Sequence, residues 1–284
     1  MRTVEFAPGI TLPAIAQGTW HLGEDPTRRR EEVAALRAGI DLGLTVIDTA
    51  EMYADGEAER VVAEAIAGRR EEVFLVSKVW PTHARRDLVL RAAEGSLARL
   101  GTDHLDLYLL HWPTLRVPLE ETLDALVTLV RQGKTRAIGV SNFPAAWFRR
   151  AQTLLPLDVP LRVDQVPYSP ADRRAERDPL PAVREAGALL MGWGPLKFVN
   201  QAASPAARAV LETVAVRHGR SWQQVVLNWV TTHPGVQAIA KAANPAHTRA
   251  NAAATDFELT PGDLAEIEAA FPLPEHGLEL ETMD

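Results

Sequence analysis

The chain of 284 residues has no cysteine, which removes disulfides, thiolate-held metals and cysteine nucleophiles from consideration. Nor does it contain a run of about 18 consecutive apolar residues, the length a helix needs to cross a bilayer. Its first residues, Met1 to Phe6, lack the apolar core of a secretory signal, so the expectation is a cytoplasmic protein. Acidic residues outnumber basic ones, 37 to 30, for a net charge of −7. With no like-charge block and no basic stripe, there is no footing for nucleic acid or an anionic membrane. No Gly-x-Gly-x-x-Gly follows the first strand-like run, which argues against an open doubly wound sheet. Low-complexity segments, linkers and repeats of about 20 to 50 residues are also missing.

What the chain does have is rhythm. Short apolar runs at 14–17, 44–47, 73–77, 105–110, 136–140, 162–166, 188–192 and 236–240 read as buried parallel strands. Helical stretches separate or follow them at about 30–41, 57–67, 86–99, 120–132, 144–153, 178–186, 204–218, 221–232, 245–253 and 261–270. Eight such units predict an α/β fold of the (β/α)8 TIM barrel type, one domain over residues 1–284. Thr3 to Ala14, turning at Pro8-Gly9, predicts an N-terminal β-hairpin that plugs one end of the barrel. The stretch from Pro167 to Pro181 reads as a solvated loop leading into a helix.

Asp48, Lys78 and His111 stand at or just past the ends of the second, third and fourth strands, and Tyr53 follows Asp48 by five residues. Singly, each has an ordinary reading: a cap, a surface lysine, a core histidine, a packing aromatic. Jointly, they lie at the carboxyl face, where barrels keep their chemistry. A tyrosine hydroxyl is a poor acid near neutral pH, but an adjacent ammonium stabilises its phenolate and lowers its pKa. Lys78 supplies that charge, Asp48 compensates the lysine, and a neutral N–H of His111 can bond a carbonyl oxygen. This is the proton-donating half of a carbonyl reduction. The hydride half requires a nicotinamide, since no side chain provides one.

The remaining strand ends suit that cofactor. Ser141 and Asn142 close the fifth strand, Gln165 ends the sixth, Trp193 follows the seventh with a face for stacking, and Lys241 ends the eighth as a point charge for phosphate. Trp20, Trp80 and Trp112 are expected to wall an apolar pocket above Tyr53. The short loop from Trp112 to Pro118 and the short tail after Pro272 suggest an open site, with Glu275, His276 and Glu279 as exposed charges. A metal centre on His111 and Asp48 fails for want of ligands, because His21, His83 and His104 are poorly placed.

Four motifs carry a family likeness: Gly43 to Tyr53 (GLTVIDTAEMY), Val76 to Trp80 (VSKVW), Asp106 to Pro113 (DLYLLHWP) and Ile138 to Phe143 (IGVSNF). With Gly18-Thr19-Trp20 at one end and Phe257-Glu258-Leu259-Thr260 at the other, the chain resembles the aldo-keto reductases, notably bacterial reductases of small aldehydes and methylglyoxal. The resemblance implies Tyr53 as general acid tuned by Lys78 and Asp48, with His111 orienting a small-molecule carbonyl substrate. It implies cofactor contacts from Gly18, Thr19, Asp48, Ser141, Asn142, Gln165, Trp193, Lys241, His247 and Asn251, with Trp193 replacing a tyrosine. It further implies NADPH as cofactor, with NADH possible because His247 stands where an arginine is usual, Ala242 where a serine is, and Ala250 where a glutamate is. Arg249 lies two residues on, about 200° around a helix, and cannot take over from the same face. A monomer is expected. The alternative is a nicotinamide-binding redox sensor of slow turnover.

Overall fold

The period of two along each apolar run decides which side chains meet inside the barrel. The structure is a computed structural model describing residues 1–283, and in it the eight runs pair in parallel. They are β3 (Ile15–Gly18), β4 (Val46–Asp48), β5 (Phe74–Val79), β6 (Leu105–Leu110), β7 (Thr135–Ser141), β8 (Leu161–Pro167), β9 (Leu189–Trp193) and β10 (Val236–Lys241). They close in sequence order, with β10 pairing back onto β3. Before them, β1 (Thr3–Ala7) and β2 (Ile10–Pro13) form the expected antiparallel hairpin.

One member of each strand alternation forms an inner cluster: Ala16, Val46, Val76, Leu107, Leu109, Val163, Leu189, Met191 and Ile239. Phe6 and Leu12 of the hairpin join it, and the Phe6 and Phe74 rings meet edge to face at 4.9 Å, so the hairpin stoppers this end. The alternate residues, among them Ile15, Ile47, Leu75, Tyr108, Ile138 and Leu190, belong to the larger core shared with the helices. Packing inside is tight enough that a Cβ on Gly139 would lie 2.7 Å from the Val163 carbonyl oxygen and 2.6 Å from Leu109. Counting on by two from the inner positions leads to Gly18, Asp48, Lys78, His111, Ser141, Gln165, Trp193 and Lys241. The core pattern therefore aims all of these at the carboxyl mouth.

The helices are α1 (Arg29–Asp41), α2 (Glu57–Ile66), α3 (Arg86–Leu100), α4 (Leu119–Arg131), α5 (Ala145–Leu154), α6 (Arg174–Arg177), α7 (Leu180–Glu185), α8 (Pro195–Ala202), α9 (Pro205–His218), α10 (Trp222–Thr232), α11 (Pro245–Ala252) and α12 (Pro261–Ala270). Among the described residues, none is long and apolar enough to cross a membrane. Two segments depart from expectation. The helix anticipated over 178–186 is confined to α7, and a separate short α6 precedes it, because Pro179 disfavours helix at Asp178, which is extended. The freed Asp178 carboxylate accepts a hydrogen bond from the Ala145 amide and so caps α5. The stretch 167–181, expected to be solvated, is largely packed: Tyr168, Ser169, Arg173 and Ala175 are buried. Arg173 tolerates burial because it donates to Glu176 at 2.7 and 2.8 Å and to the Phe271 carbonyl at 2.9 Å.

Between β4 and α2 the backbone is strained. Ala54 (φ 49°) and Asp55 (φ 51°) adopt left-handed conformations just after Tyr53, followed by Gly56 at φ 86°. Such conformations cost a non-glycine residue about 1–2 kcal/mol each. Arg99 lies against Gly56, where a Cβ would come within 2.5 Å of its Cδ, and is itself held by Glu59 at 2.6 Å. Glu59 in turn accepts from Ser77, next to Lys78, at 2.6 Å. Urea denaturation should find Ala54→Gly more stable by about 1 kcal/mol and Gly56→Ala less stable; destabilisation by Ala54→Gly would contradict this account of the turn.

Candidate active site

At the mouth of the barrel, the Lys78 ammonium donates to Asp48 Oδ2 at 2.8 Å, to the Thr49 carbonyl at 2.9 Å and to the Tyr53 hydroxyl at 3.3 Å. The lysine side chain is 0% exposed and the aspartate 4%. Gln165 Nε2 donates to the other Asp48 oxygen at 2.7 Å. From there the bonds continue around the rim. Ser141 Oγ donates to the Gln165 carbonyl (2.7 Å), Asn142 Nδ2 to Ser141 Oγ (2.9 Å) and the His111 carbonyl (3.0 Å), and Trp193 Nε1 to Asn142 Oδ1 (3.1 Å). Asn142 reaches these partners from a left-handed backbone, φ 63°. His111 is wedged edge-on between Tyr53 (5.6 Å) and Trp80 (5.2 Å). Glu51 ties the Tyr53 loop to the neighbouring one through the Trp80 amide (2.7 Å) and His83 (2.9 Å).

Burial opposes charge on Lys78, but Asp48 and then Tyr53 outweigh it and hold its pKa above the ordinary value. Tyr53 differs from expectation. Burial dominates and pushes its pKa up, with Asp48 adding to that, while the ammonium of Lys78 pulls it only partly back. The phenol therefore keeps its proton at neutral pH. Burial, and then the nearby Lys78 charge, drive His111 well below the ordinary imidazole value, so it is neutral. Among the described residues its Nδ1 has no hydrogen-bond partner.

A cavity of about 730 Å³ opens above these groups. Gly18, Thr19, Trp20, Asp48, Tyr53, Trp80, His111, Trp112, Ser141, Asn142, Gln165, Trp193 and Lys241 all line it, as their strand ends predict. Thr19 is fixed by two bonds to the Asp48 carbonyl, from its amide (3.0 Å) and its Oγ1 (2.9 Å). Two expected residues do not reach the cavity wall. His247 is exposed at the start of α11, where its amide donates to the capping Asn244 side chain at 2.9 Å and its ring nitrogen lies 3.1 Å from Asn244 Nδ2. Asn251 is buried on the same helix. Arg249 lines a separate surface groove with α1.

The wall also holds residues that the strand-end pattern does not mark. Met52 belongs to the Tyr53 loop, and Leu196, Lys197 and Gln201 to α8. α8 is two turns long, and its cue was a proline in its first turn after Gly194. Met283 comes from the tail, whose Leu278 amide is tied to the Asp178 carbonyl at 3.2 Å. The expected open site is thus partly roofed, because the tail is pinned across the barrel end. Glu275, His276 and Glu279 are exposed, as expected.

A planar ring face at Trp193, amides and hydroxyls beside it, and the ammonium groups of Lys197 and Lys241 farther along suit a long ligand with an aromatic head and anionic tail. Among the described residues neither ammonium has an ion-pair partner. A nicotinamide dinucleotide fits that donor set.

Comparison with protein-family models matches residues 14–271 to the aldo/keto reductase family. The chain belongs to that family. It is 46% identical over 274 residues to methylglyoxal reductase YeaE of Escherichia coli (strain K12), covering 96% of each chain. To glyoxal reductase of Bacillus subtilis (strain 168) it is 33% identical over 94% of this chain and 92% of that one. Among solved structures, an aldo/keto reductase from Klebsiella pneumoniae in complex with NADP and acetate superposes with a TM-score of 0.92 at 44% identity, covering 99% of both chains.

Folding keeps two imidazoles neutral: His111, and His233, which burial also lowers. Both have folded pKa values below the unfolded value. The stability they contribute is complete above about pH 6.5 and is lost as pH falls from there through the folded values. Urea denaturation should therefore show stability decreasing between pH 7 and 5, by at most about 2 kcal/mol per imidazole. In His111→Asn the decrease should be smaller; an undiminished decrease would contradict the assignment.

Proposed function

We propose that this protein reduces small aldehydes and ketones, methylglyoxal-like compounds among them, to alcohols at the expense of NADPH. The observation that carries the reading is the Tyr53 hydroxyl 3.3 Å from the Lys78 ammonium, at the floor of a cavity it shares with His111. Bound there, a reduced nicotinamide supplies the hydride. His111 orients the carbonyl oxygen by donating the one N–H of its neutral ring. Tyr53 gives up its proton to that oxygen as negative charge grows on it. Lys78 stabilises the resulting phenolate, and Asp48 keeps the ammonium in place.

Trp193, Asn142, Ser141 and Gln165 provide a stacking face and an amide-binding edge for the nicotinamide. Gln165 also bonds Asp48, so the cofactor edge and the proton donor share one network. The apolar rings of Trp20, Trp80 and Trp112 favour uncharged carbonyl compounds. NADPH is supported by two Klebsiella pneumoniae relatives, solved with NADP and with NADPH at 44% and 43% identity. NADH is the fallback cofactor, since His247 is not a guanidinium. We take the barrel to act as one catalytic domain.

Following the fall in absorbance at 340 nm with methylglyoxal tests this reading. Tyr53→Phe should lower kcat about 10² to 10⁴-fold with little change in cofactor Kd; more than about a tenth of wild-type kcat in that variant would refute the assigned role. kcat/KM should favour NADPH, and a tenfold preference for NADH would refute the cofactor assignment.

A further inference from the structure

Asp164 is a buried carboxyl group that the reaction above leaves unused. It is 0% exposed on β8, between Val163 and Gln165, which face the barrel axis, so alternation turns its side chain toward the helical layer. Its Oδ1 accepts one long hydrogen bond, from the Phe143 amide at 3.5 Å, and among the described residues its Oδ2 has no partner. A carboxylate left in that condition inside a dry layer is costly.

No cation answers it. β7 and β9 flank β8, and α5 and α7 lie over them. β9 carries no charged residue. Arg136 of β7 pairs with Asp106, Arg149 of α5 with Glu185 of α7, and Arg150 of α5 with Glu120. Arg184 of α7 donates to the Pro234 carbonyl, and neither it nor Arg162 of β8 acts on Asp164. The one charged group that does is the Asp178 carboxylate, of like sign. Burial first, and Asp178 in addition, hold the Asp164 carboxyl well above the usual carboxylate range, so it keeps its proton at neutral pH.

The turn that Asp164 touches carries part of the cofactor edge. Residues 141–145 lead from β7 into α5, and four bonds seat them on neighbouring backbone and side chains. Ser141 Oγ and the Asn142 amide donate to the Gln165 carbonyl at 2.7 and 2.9 Å, the Phe143 amide to Asp164, and the Ala145 amide to Asp178. So seated, Asn142 holds its left-handed backbone and bonds the His111 carbonyl and the Trp193 indole. A charge on Asp164 requires water or movement beside it. β8 is laddered to strands on both sides, so the turn is the part that yields.

We propose that Asp164 is a proton-dependent positioning residue for the dinucleotide: its neutral carboxyl lets the 141–145 turn close on β8, and its ionisation unseats Asn142 and Trp193 from the nicotinamide. This rests on the functional reading above. The proton exchanges with solvent, and no other group is consumed.

Asp164→Asn, which keeps the planar shape and the acceptor but cannot ionise, tests the proposal by calorimetry. The NADPH Kd of the wild type divided by that of the variant at each pH cancels the titrations that both proteins share. That ratio should be near one at pH 7 and rise about threefold or more by about pH 10. Urea denaturation gives a second readout. Because folding raises the carboxyl's pKa, the wild type loses stability as pH rises from about 4 toward the folded value, and the variant does not. Asp164→Asn should therefore have the higher urea midpoint at pH 7, by a margin that widens with pH. A ratio that stays flat to about pH 10 overturns the proposal, even beside a stability gain, since the group would then serve folding alone. A variant less stable than the wild type at pH 7 also overturns it, because the native carboxyl would then be ionised. A wild type that binds no dinucleotide at pH 7 would overturn the functional reading instead, and the stability comparison would still report on the proton.

Discussion

A lysine with no exposed surface is tolerable only if its charge is answered, and the Asp48–Lys78 pair supplies that answer at 2.8 Å. Taking two ions out of water costs several kcal/mol each, which good geometry and further hydrogen bonds must offset. The site is built around that requirement. Asp48 uses its second oxygen on Gln165, and Lys78 uses its remaining donors on the Thr49 carbonyl and the Tyr53 hydroxyl. Residues far apart in the chain are brought into register by the ion pair's need for partners, and both the proton donor and the nicotinamide edge inherit their positions from it.

The same burial sets the chemistry. Dryness alone would make Tyr53 a worse acid and His111 a neutral one, and both effects are present. A protonated phenol and an uncharged imidazole are the forms that carbonyl reduction uses, so Lys78 does not need to ionise the tyrosine beforehand. Its role is to lower the cost of the phenolate that forms when the proton leaves. The expectation of a lowered tyrosine pKa placed the ammonium correctly but neglected how completely the hydroxyl is desolvated, a quantity that only the packed structure contains.

Strand number, order and inward face were legible because parallel strands buried on both sides must alternate between two apolar layers. Asp48, Lys78, His111, Gln165, Trp193 and Lys241 fall on the inner parity of their strands, and that regularity survives in the bare sequence. What was not legible depends on tertiary placement. α8 is too short for its period to stand out, so Lys197 was missed. The tail was read by its length, whereas its anchoring at Asp178 brings Met283 to the cavity. Arg173 looked like a solvated charge because its partners at Glu176 and Phe271 are supplied by folding. His247 and Asn251 were placed by family resemblance alone, and the structure sets both off the cavity wall.

The central claim is that the buried ion pair, rather than either charge alone, holds the mouth of the barrel together. A double-mutant cycle on folding stability tests it most directly, comparing Asp48→Asn, Lys78→Met and the double variant by urea denaturation. The account predicts that Asp48→Asn alone costs about 3–5 kcal/mol by stranding the ammonium, and that adding Lys78→Met restores much of that stability. Asp48→Asn as stable as the wild type, or a double variant less stable than either single one, would contradict it.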